Sequence, residues 1–123
     1  MKAMRSLVPL AHVRSLPDSI AFYRKLGFEV RNTFVPESRA DPTWAWLESD
    51  GGAKLMLALA DEPVIAAQQA VLFYLYCNSV PSTRARLEES GVPIGPVQYP
   101  FYAPLGEFRV HDPDGYVLMI MQT

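Results

Sequence analysis

The side chains suited to acid–base, nucleophilic or metal chemistry are few and widely spaced. The chain has two histidines, His12 and His111, and one cysteine, Cys77. Neither histidine has a carboxylate and a nucleophile arranged around it in the sequence, so their spacing supports no acid–base or covalent mechanism. One cysteine excludes an internal disulfide and a cysteine-based zinc cluster, and we expect Cys77 to be a buried, reduced thiol. Glycine-rich phosphate loops, paired helical histidines and a nucleophile elbow are absent from the sequence.

The composition narrows the class of protein further. The chain has 123 residues, half of them apolar and a fifth charged, with a formal net charge of −2. This length fits a single domain, residues 1–123. No apolar run reaches the roughly 18–20 residues that cross a bilayer, and no block of Lys and Arg suggests nucleic acid. We therefore expect neither a membrane nor a nucleic-acid partner. Pro9, His12 and Arg14 interrupt the apolar N-terminal stretch, which is typical of a first strand and makes the cytoplasm the expected location.

The elements that must position any site occur twice along the chain. In the first half a strand at Val8–Val13 precedes a helix that begins around Pro17-Asp18-Ser19, with Ser or Asp as its cap, and ends at Gly27. Further strands follow, the last two joined by a turn at Ser49-Asp50-Gly51-Gly52. These strands are Phe28–Phe34, Trp44–Glu48 and Lys54–Leu59.

The second half repeats this order. Aligning Gly91 with Gly27 gives an offset of 91 − 27 = 64 residues. The predicted elements are the strand Val71–Cys77, the helix Pro81–Ser90, and the strands Val92–Val97, Gly106–His111 and Tyr116–Gln122, the last two joined by Asp112-Pro113-Asp114-Gly115. The sequence therefore predicts an α+β fold of two βαβββ modules, about residues 6–60 and 71–123. A linker of about residues 61–70 joins them and has room for one helical turn. Such modules can form an open half-barrel sheet with the helices on its convex face and a cleft on its concave face.

Two segments resemble the vicinal oxygen chelate superfamily, which includes glyoxalase I, extradiol dioxygenases and bleomycin-resistance proteins. DSIAFYRKLGF at 18–28 resembles the first-helix signature of that family, and HDPDGYVLMI at 111–120 resembles its closing hairpin. The resemblance implies metal ligands on the first and last strands of each module. The corresponding positions are Val8, Met56, Leu72 and Met119.

Those four side chains do not suit a catalytic metal. Zinc, nickel, magnesium and iron require nitrogen, oxygen or thiolate donors, whereas two alkyl groups and two thioethers supply none. Cuprous copper accepts thioethers, but neither Met56 nor Met119 is accompanied by a Cys or His ligand. We therefore expect a site without a metal or another cofactor.

Strand alternation assigns mainly apolar and aromatic residues to the cleft. Leu72, Tyr74 and Tyr76 share one face of their strand, and Val117, Met119 and Met121 share one face of theirs. A four-residue turn would place Phe108 and Val110 beside Met119. Trp44 and Trp46 share a face next to Met56, where they either line the cleft or pack in the core.

The remaining candidates allow two interpretations each. The segment QYPFYAP, residues 98–104, supplies Tyr99, Phe101 and Tyr102, which form either a binding rim or ordinary packing. His12 either hydrogen-bonds a ligand at the mouth of the cleft or is structural. His111 is expected to be a surface or turn residue.

The metal-free bleomycin-resistance branch is most similar to this pattern, and TWAWLESDGGAKLMLAL resembles its aromatic hairpin. The resemblance implies a homodimer that binds a small molecule, an aromatic or peptide-type antibiotic or natural product, and releases it unchanged. The expected ligand-binding residues are His12, Trp44, Trp46, Met56, Tyr74, Tyr76, Phe101, Tyr102, Phe108 and Met119. One alternative is a metal-dependent glyoxalase- or dioxygenase-type enzyme whose metal is held by His12 with Glu48 or Glu107. Another is a dimeric scaffold or sensor whose cleft is filled by its own side chains.

Overall fold

The structure, a computed structural model, describes residues 3–123 and contains two β-sheets. The chain divides into two compact units, one extending to Val64 and one beginning at Ile65, so that the boundary lies within the predicted linker. The strands are β1 (Leu10–Val13), β2 (Phe28–Phe34), β3 (Trp44–Ser49), β4 (Lys54–Leu59), β5 (Phe73–Cys77), β6 (Glu107–His111) and β7 (Val117–Gln122). The helices are α1 (Leu16–Lys25) and α2 (Val80–Glu89), and one 3-10 turn, Ala66–Gln68, lies in the linker as predicted. The predicted α+β class is confirmed.

The first unit is a four-stranded sheet, in the order β1-β4-β3-β2, with α1 packed on one face. The helix begins one turn earlier than predicted, because the hydroxyl oxygen of Ser15 accepts a hydrogen bond from the Asp18 N–H at 3.3 Å. Pro17 is tolerated inside this first turn, where its missing N–H has no helical partner. β2 and β4 have the predicted bounds, whereas β1 begins two residues late, at Leu10. The core residues Val13, Ala45, Leu47 and Leu57 are all fully buried.

The second unit is a three-stranded sheet in the order β5-β7-β6, with β5 parallel and β6 antiparallel to β7. Ser79 caps α2 by accepting the Ser82 N–H at 3.2 Å. The guanidinium of Arg84 lies 5.0 Å above the ring of Phe108 and donates a 2.6 Å hydrogen bond to the carbonyl of Gly95. These two contacts attach α2 to the β6 side of the sheet.

The predicted strand Val92–Val97 is wrong, because this segment is an extended loop. Its prolines, Pro93 and Pro96, have no N–H to donate to a strand ladder. The loop approaches β6 through a hydrogen bond from the Gly95 N–H to the Arg109 carbonyl and through one isolated bridge between Gln98 and Glu107. The second module is therefore βαββ rather than βαβββ.

Both helices have 10 residues. Within residues 3–123 neither one has the length and apolar character of a membrane span. Cys77 is a free thiol and is partly exposed, so the prediction of a buried thiol is wrong. Its position at the last residue of β5 accounts for this exposure.

Candidate functional site

The second sheet has one face covered by α2 and one open face. In the register, Tyr74 lies opposite Met119 and Tyr76 lies opposite Met121. Side chains of paired residues point to the same side of a sheet, so these four residues share one face, as alternation predicted. The two tyrosines are 38% and 64% exposed, respectively, and are therefore accessible to a ligand.

The predicted face of β6 is wrong by one residue. Arg109, not Phe108, pairs with Met119, while Phe108 pairs with Ile120. The Asp112 N–H bonds to the Tyr116 carbonyl, and the loop between His111 and Val117 therefore contains one residue more than the predicted turn.

This register changes which side chains of β6 face the site. Phe108 and Val110 point toward α2, and Phe108 is only 1% exposed. Glu107, Arg109 and His111 point to the open face instead. His111, predicted to be a surface or turn residue, is exposed and also lines the pocket described next.

A pocket of about 740 Å³ lies on the second unit, between the open face of its sheet and the 93–98 loop. Met119, which is 6% exposed, forms part of its wall. Of the ten predicted ligand contacts, four line this pocket: Tyr74, Tyr102, Phe108 and Met119. The other six do not, namely Tyr76 and Phe101 of the second unit, which are 64% and 96% exposed, and His12, Trp44, Trp46 and Met56 of the first unit. The pocket is lined by Leu72, Tyr74, Pro93, Ile94, Gly95, Pro96, Gln98, Tyr102, Glu107, Phe108, Arg109, His111 and Met119.

Two tyrosines and one glutamate form a hydrogen-bonded chain at this pocket. The hydroxyl of Tyr102 donates to Glu107 Oε2 at 3.2 Å, and the Tyr74 hydroxyl lies 3.4 Å from that of Tyr102. Either hydroxyl can be the donor in the contact between Tyr74 and Tyr102. The hydrogen bond with Tyr74, partial burial and the neighbouring Glu107 carboxylate together raise the pKa of Tyr102 to about 12. Tyr102 therefore remains a protonated donor at neutral pH.

Glu107 is the least expected member of this site. Its side chain is 3% exposed, and its second carboxylate oxygen, Oε1, has no hydrogen-bond partner. From the sequence, Glu107 is a candidate only as a metal ligand together with His12. Glu107 pairs with Met121. Predicting this pairing requires the correct length of the loop between β6 and β7, and the turn sequence does not specify that length.

The first unit presents a second aromatic face. Trp46 lies between Asn32 and Met56 in the register, and Trp44 shares its face. The Trp46 indole N–H donates to Glu48 Oε2 at 2.9 Å, which fixes the orientation of the ring. Both tryptophans are partly exposed, so neither is an enclosed core residue of this unit. His12 pairs with Ala58 on the same side and is exposed.

The positions implied for a metal do not fit one. Met56 is flanked by Leu10 and Trp46, and Met119 is flanked by Tyr74 and Arg109. None of these groups is a first-choice donor for a divalent ion. Over residues 3–123 no three His, Cys, Asp or Glu side chains cluster as a metal site would require.

The alternative ligand pair His12 and Glu48 also fails on geometry. Glu48 pairs with Lys54, whereas His12 pairs with Ala58, four residues further along β4. This offset is about 13 Å at the usual rise of a strand. Two ligands of one ion must instead lie side by side, so His12 and Glu48 do not form a metal site.

The family model described as "Glyoxalase/Bleomycin resistance protein/Dioxygenase superfamily" matches residues 8–120. The chain belongs to this superfamily, as the first-helix and closing-hairpin segments predicted. No curated protein matches the chain by sequence.

Solved structures confirm the fold. A bleomycin-binding protein complexed with bleomycin has a TM-score of 0.75 at 16% identity, covering 98% of this chain and 99% of its own. TnmS3, an antibiotic-binding protein from Streptomyces sp. CB03234, has a TM-score of 0.74 at 22% identity, with 99% and 98% covered. The fosfomycin resistance protein FosX from Listeria monocytogenes has a TM-score of 0.76 at 12% identity, with 98% and 93% covered. At these identities the likeness establishes the fold and leaves the ligand open.

Proposed function

We propose that this protein binds an aromatic or peptide-type antibiotic or related natural product without a metal, acts in the cytoplasm, and releases its ligand unchanged. The observation that carries the proposal is the pocket on the second sheet, whose walls are built from tyrosine, methionine and proline side chains. The antibiotic-binding proteins among the similar structures support this class of ligand.

The aromatic content of the site is large enough to support binding. Each aromatic ring buries about 150–250 Å², worth on the order of 4–6 kcal/mol at ~25 cal/mol per Å². The loss of translational and rotational freedom on association costs roughly 4–15 kcal/mol. Several rings must therefore contact one ligand, and Tyr74 and Tyr102 are the accessible candidates at the pocket of the second unit. Met119 adds a flexible apolar contact there that adapts to the shape of a ligand. Trp44, Trp46 and Met56 are the corresponding candidates on the first unit.

We also propose a homodimer, on the basis of the family resemblance. Analytical ultracentrifugation tests this state directly: a species of twice the chain mass supports it, and a monomer at all concentrations contradicts it. This measurement is independent of ligand binding.

The binding proposal is tested by fluorescence titration in excess chelator. The protein is titrated with a panel that includes bleomycin and other aromatic peptide or glycopeptide antibiotics, and tryptophan quenching is followed. We expect saturable quenching at one ligand per subunit or per dimer. The variants Trp44→Phe and Trp46→Phe leave a single tryptophan each, and they assign the signal to one ring.

The same experiment separates binding from metal-dependent catalysis. A binding protein returns the ligand unchanged by mass spectrometry, and the chelator leaves its affinity unaltered. Ligand conversion that disappears with chelator and returns with added metal would contradict the proposal and favour the enzyme. Absence of both tryptophan quenching and calorimetric binding across the panel would also contradict it, and would favour a scaffold or sensor.

A further inference from the structure

We propose that Glu107 makes the pocket on the second sheet selective for aromatic ligands that carry a protonated nitrogen. The inference rests on the proposed function and names the ligand chemistry of the same site. It starts from one unusual atom, the enclosed Oε1 of Glu107, which has no hydrogen-bond partner in the free protein.

The hydrogen bonds around Glu107 define what that atom requires. Oε2 accepts a hydrogen bond from the Tyr102 hydroxyl, and the hydroxyl of Tyr74 lies 3.4 Å from that of Tyr102. An ionised carboxylate has acceptors and no donor. A group that hydrogen-bonds to Oε1 must therefore be a donor. Leaving a buried acceptor unsatisfied is unfavourable, so a donor supplied by the ligand gains more here than at an exposed carboxylate.

Positive charge on the donor strengthens this contact. Glu107 is 3% exposed, and a buried charge is screened less by water and salt than an exposed one. Hydrogen bonds between a charged donor and a carboxylate are about twice as strong as neutral ones. An ammonium or amidinium group is thus a better partner than a hydroxyl or an amide.

The other charged and titratable groups at the pocket do not supply this donor. The hydroxyls of Tyr74 and Tyr102 contact each other, and the Tyr102 hydroxyl donates its proton to Oε2. Arg109 and His111 share the open face with Glu107, but both side chains are exposed, where solvent screens their charge. Neither one hydrogen-bonds to Oε1.

The ligand nitrogen reaches Glu107 from the pocket, because Glu107 is one of its lining residues. Tyr102 is the neighbour that can yield, since its side chain is 47% exposed and lies in the turn before β6. Tyr74 and Met119 then remain in place to contact the aromatic part of the ligand.

The test compares two probes that share one tricyclic ring system. At neutral pH 9-aminoacridine is a cation and acridine is neutral. Isothermal titration calorimetry measures the affinity of each for the wild-type protein, for Glu107→Gln, and for Glu88→Gln. Glu88 is an exposed residue of α2, so its substitution removes the same charge away from the open face.

We expect the wild-type protein to bind the cation about tenfold or more tightly than the neutral probe. This difference in affinity corresponds to the contribution of one hydrogen bond to a charged group. Glu107→Gln should lose most of this preference, while Glu88→Gln should keep it. Equal affinity of the two probes for the wild-type protein would overturn the inference and leave the proposed function intact. A preference that persists in Glu107→Gln would overturn it as well.

The wild-type comparison needs no variant, so the inference stays testable even if Glu107→Gln fails to fold. Circular dichroism checks the fold of each variant. Absence of binding for both probes would count against the aromatic ligand of the proposed function itself. That result is distinguishable from a loss of charge preference alone.

Discussion

Replacing Gly106 by alanine is expected to destabilise the protein and to weaken ligand binding. Gly106 precedes β6 and has a φ of +104°, a backbone conformation that side chains disfavour. An added Cβ would also lie 2.8 Å from Val97 Cγ1 and 3.2 Å from Tyr99 Cε1. Carbon atoms prefer separations of about 3.5–4.0 Å, so the side chains of Val97 and Tyr99 must shift.

The magnitude follows from these two effects. The positive φ contributes about 1–2 kcal/mol, and forcing a methyl group into an occupied space contributes about 1–3 kcal/mol. Together they predict a loss of roughly 2–5 kcal/mol in the free energy of unfolding. Gly52→Ala is the matched control, because Gly52 has a φ of +95° but nothing within 4 Å of its Cβ position. It should lose only the first contribution.

Urea denaturation of both variants measures the difference, which we expect to be about 1–3 kcal/mol. Ligand affinity provides a second readout. Gly106 directly precedes Glu107, a residue that lines the pocket, so Gly106→Ala should bind more weakly while Gly52→Ala should not. Equal stability of the two variants would refute the close packing of Val97 and Tyr99 on Gly106.

Three further predictions concern single side chains. Trp46→Ala should weaken ligand binding at least tenfold while unfolding stays cooperative, since a tryptophan buries about 150–250 Å² in a contact; unchanged affinity would remove this ring from the site. Asp112→Ala should destabilise by roughly 2–4 kcal/mol in urea, because Oδ1 of Asp112 accepts the N–H groups of Asp114 and Tyr116, each at 2.9 Å. Asp50→Ala, in the exposed turn between β3 and β4, is its control and should change little. The raised pKa of Tyr102, about 12 against 10.0 for an ordinary tyrosine, means that its stabilisation is complete below pH 10.0 and is lost as pH rises toward about 12. Ultraviolet titration of Tyr102→Phe should lack this late-ionising phenol, and an unchanged titration curve would contradict the assignment.

Much of the fold follows from local sequence. The Ser49–Gly52 turn and the strands on either side of it are predicted from the sequence, and alternation places Trp44 and Trp46 on one face next to Met56. The 64-residue offset between the two halves relates Leu10 to Tyr74, which pair with Met56 and Met119, respectively, whereas these two methionines are 119 − 56 = 63 residues apart. The turn and the strand alternation depend on residues that are near in sequence, which patterning expresses well, whereas the parallel pairs join residues far apart in the chain.

The polar part of the site could not be predicted in this way. The face of Glu107 depends on one additional residue in the loop after His111, and the Asp112 carboxylate stabilises that loop through backbone contacts that leave no periodic signal. The hydrogen bond from Tyr102 to Glu107 joins a loop to a strand. Propensity does not encode such a contact. The one-residue shift in register places Glu107 and Arg109 on the open face of the sheet, where Phe108 had been predicted.

The proline-containing loop beside β6 has an evolutionary consequence. Residues 93–98 line the pocket, yet the loop is attached to the sheet by only one bridge and one additional backbone hydrogen bond. Insertions or substitutions in Pro93, Ile94 or Pro96 can therefore reshape one wall of the pocket without unpairing β5, β6 and β7. Descendants of this gene can change the molecule that they recognise while the fold that holds Glu107 in place stays the same.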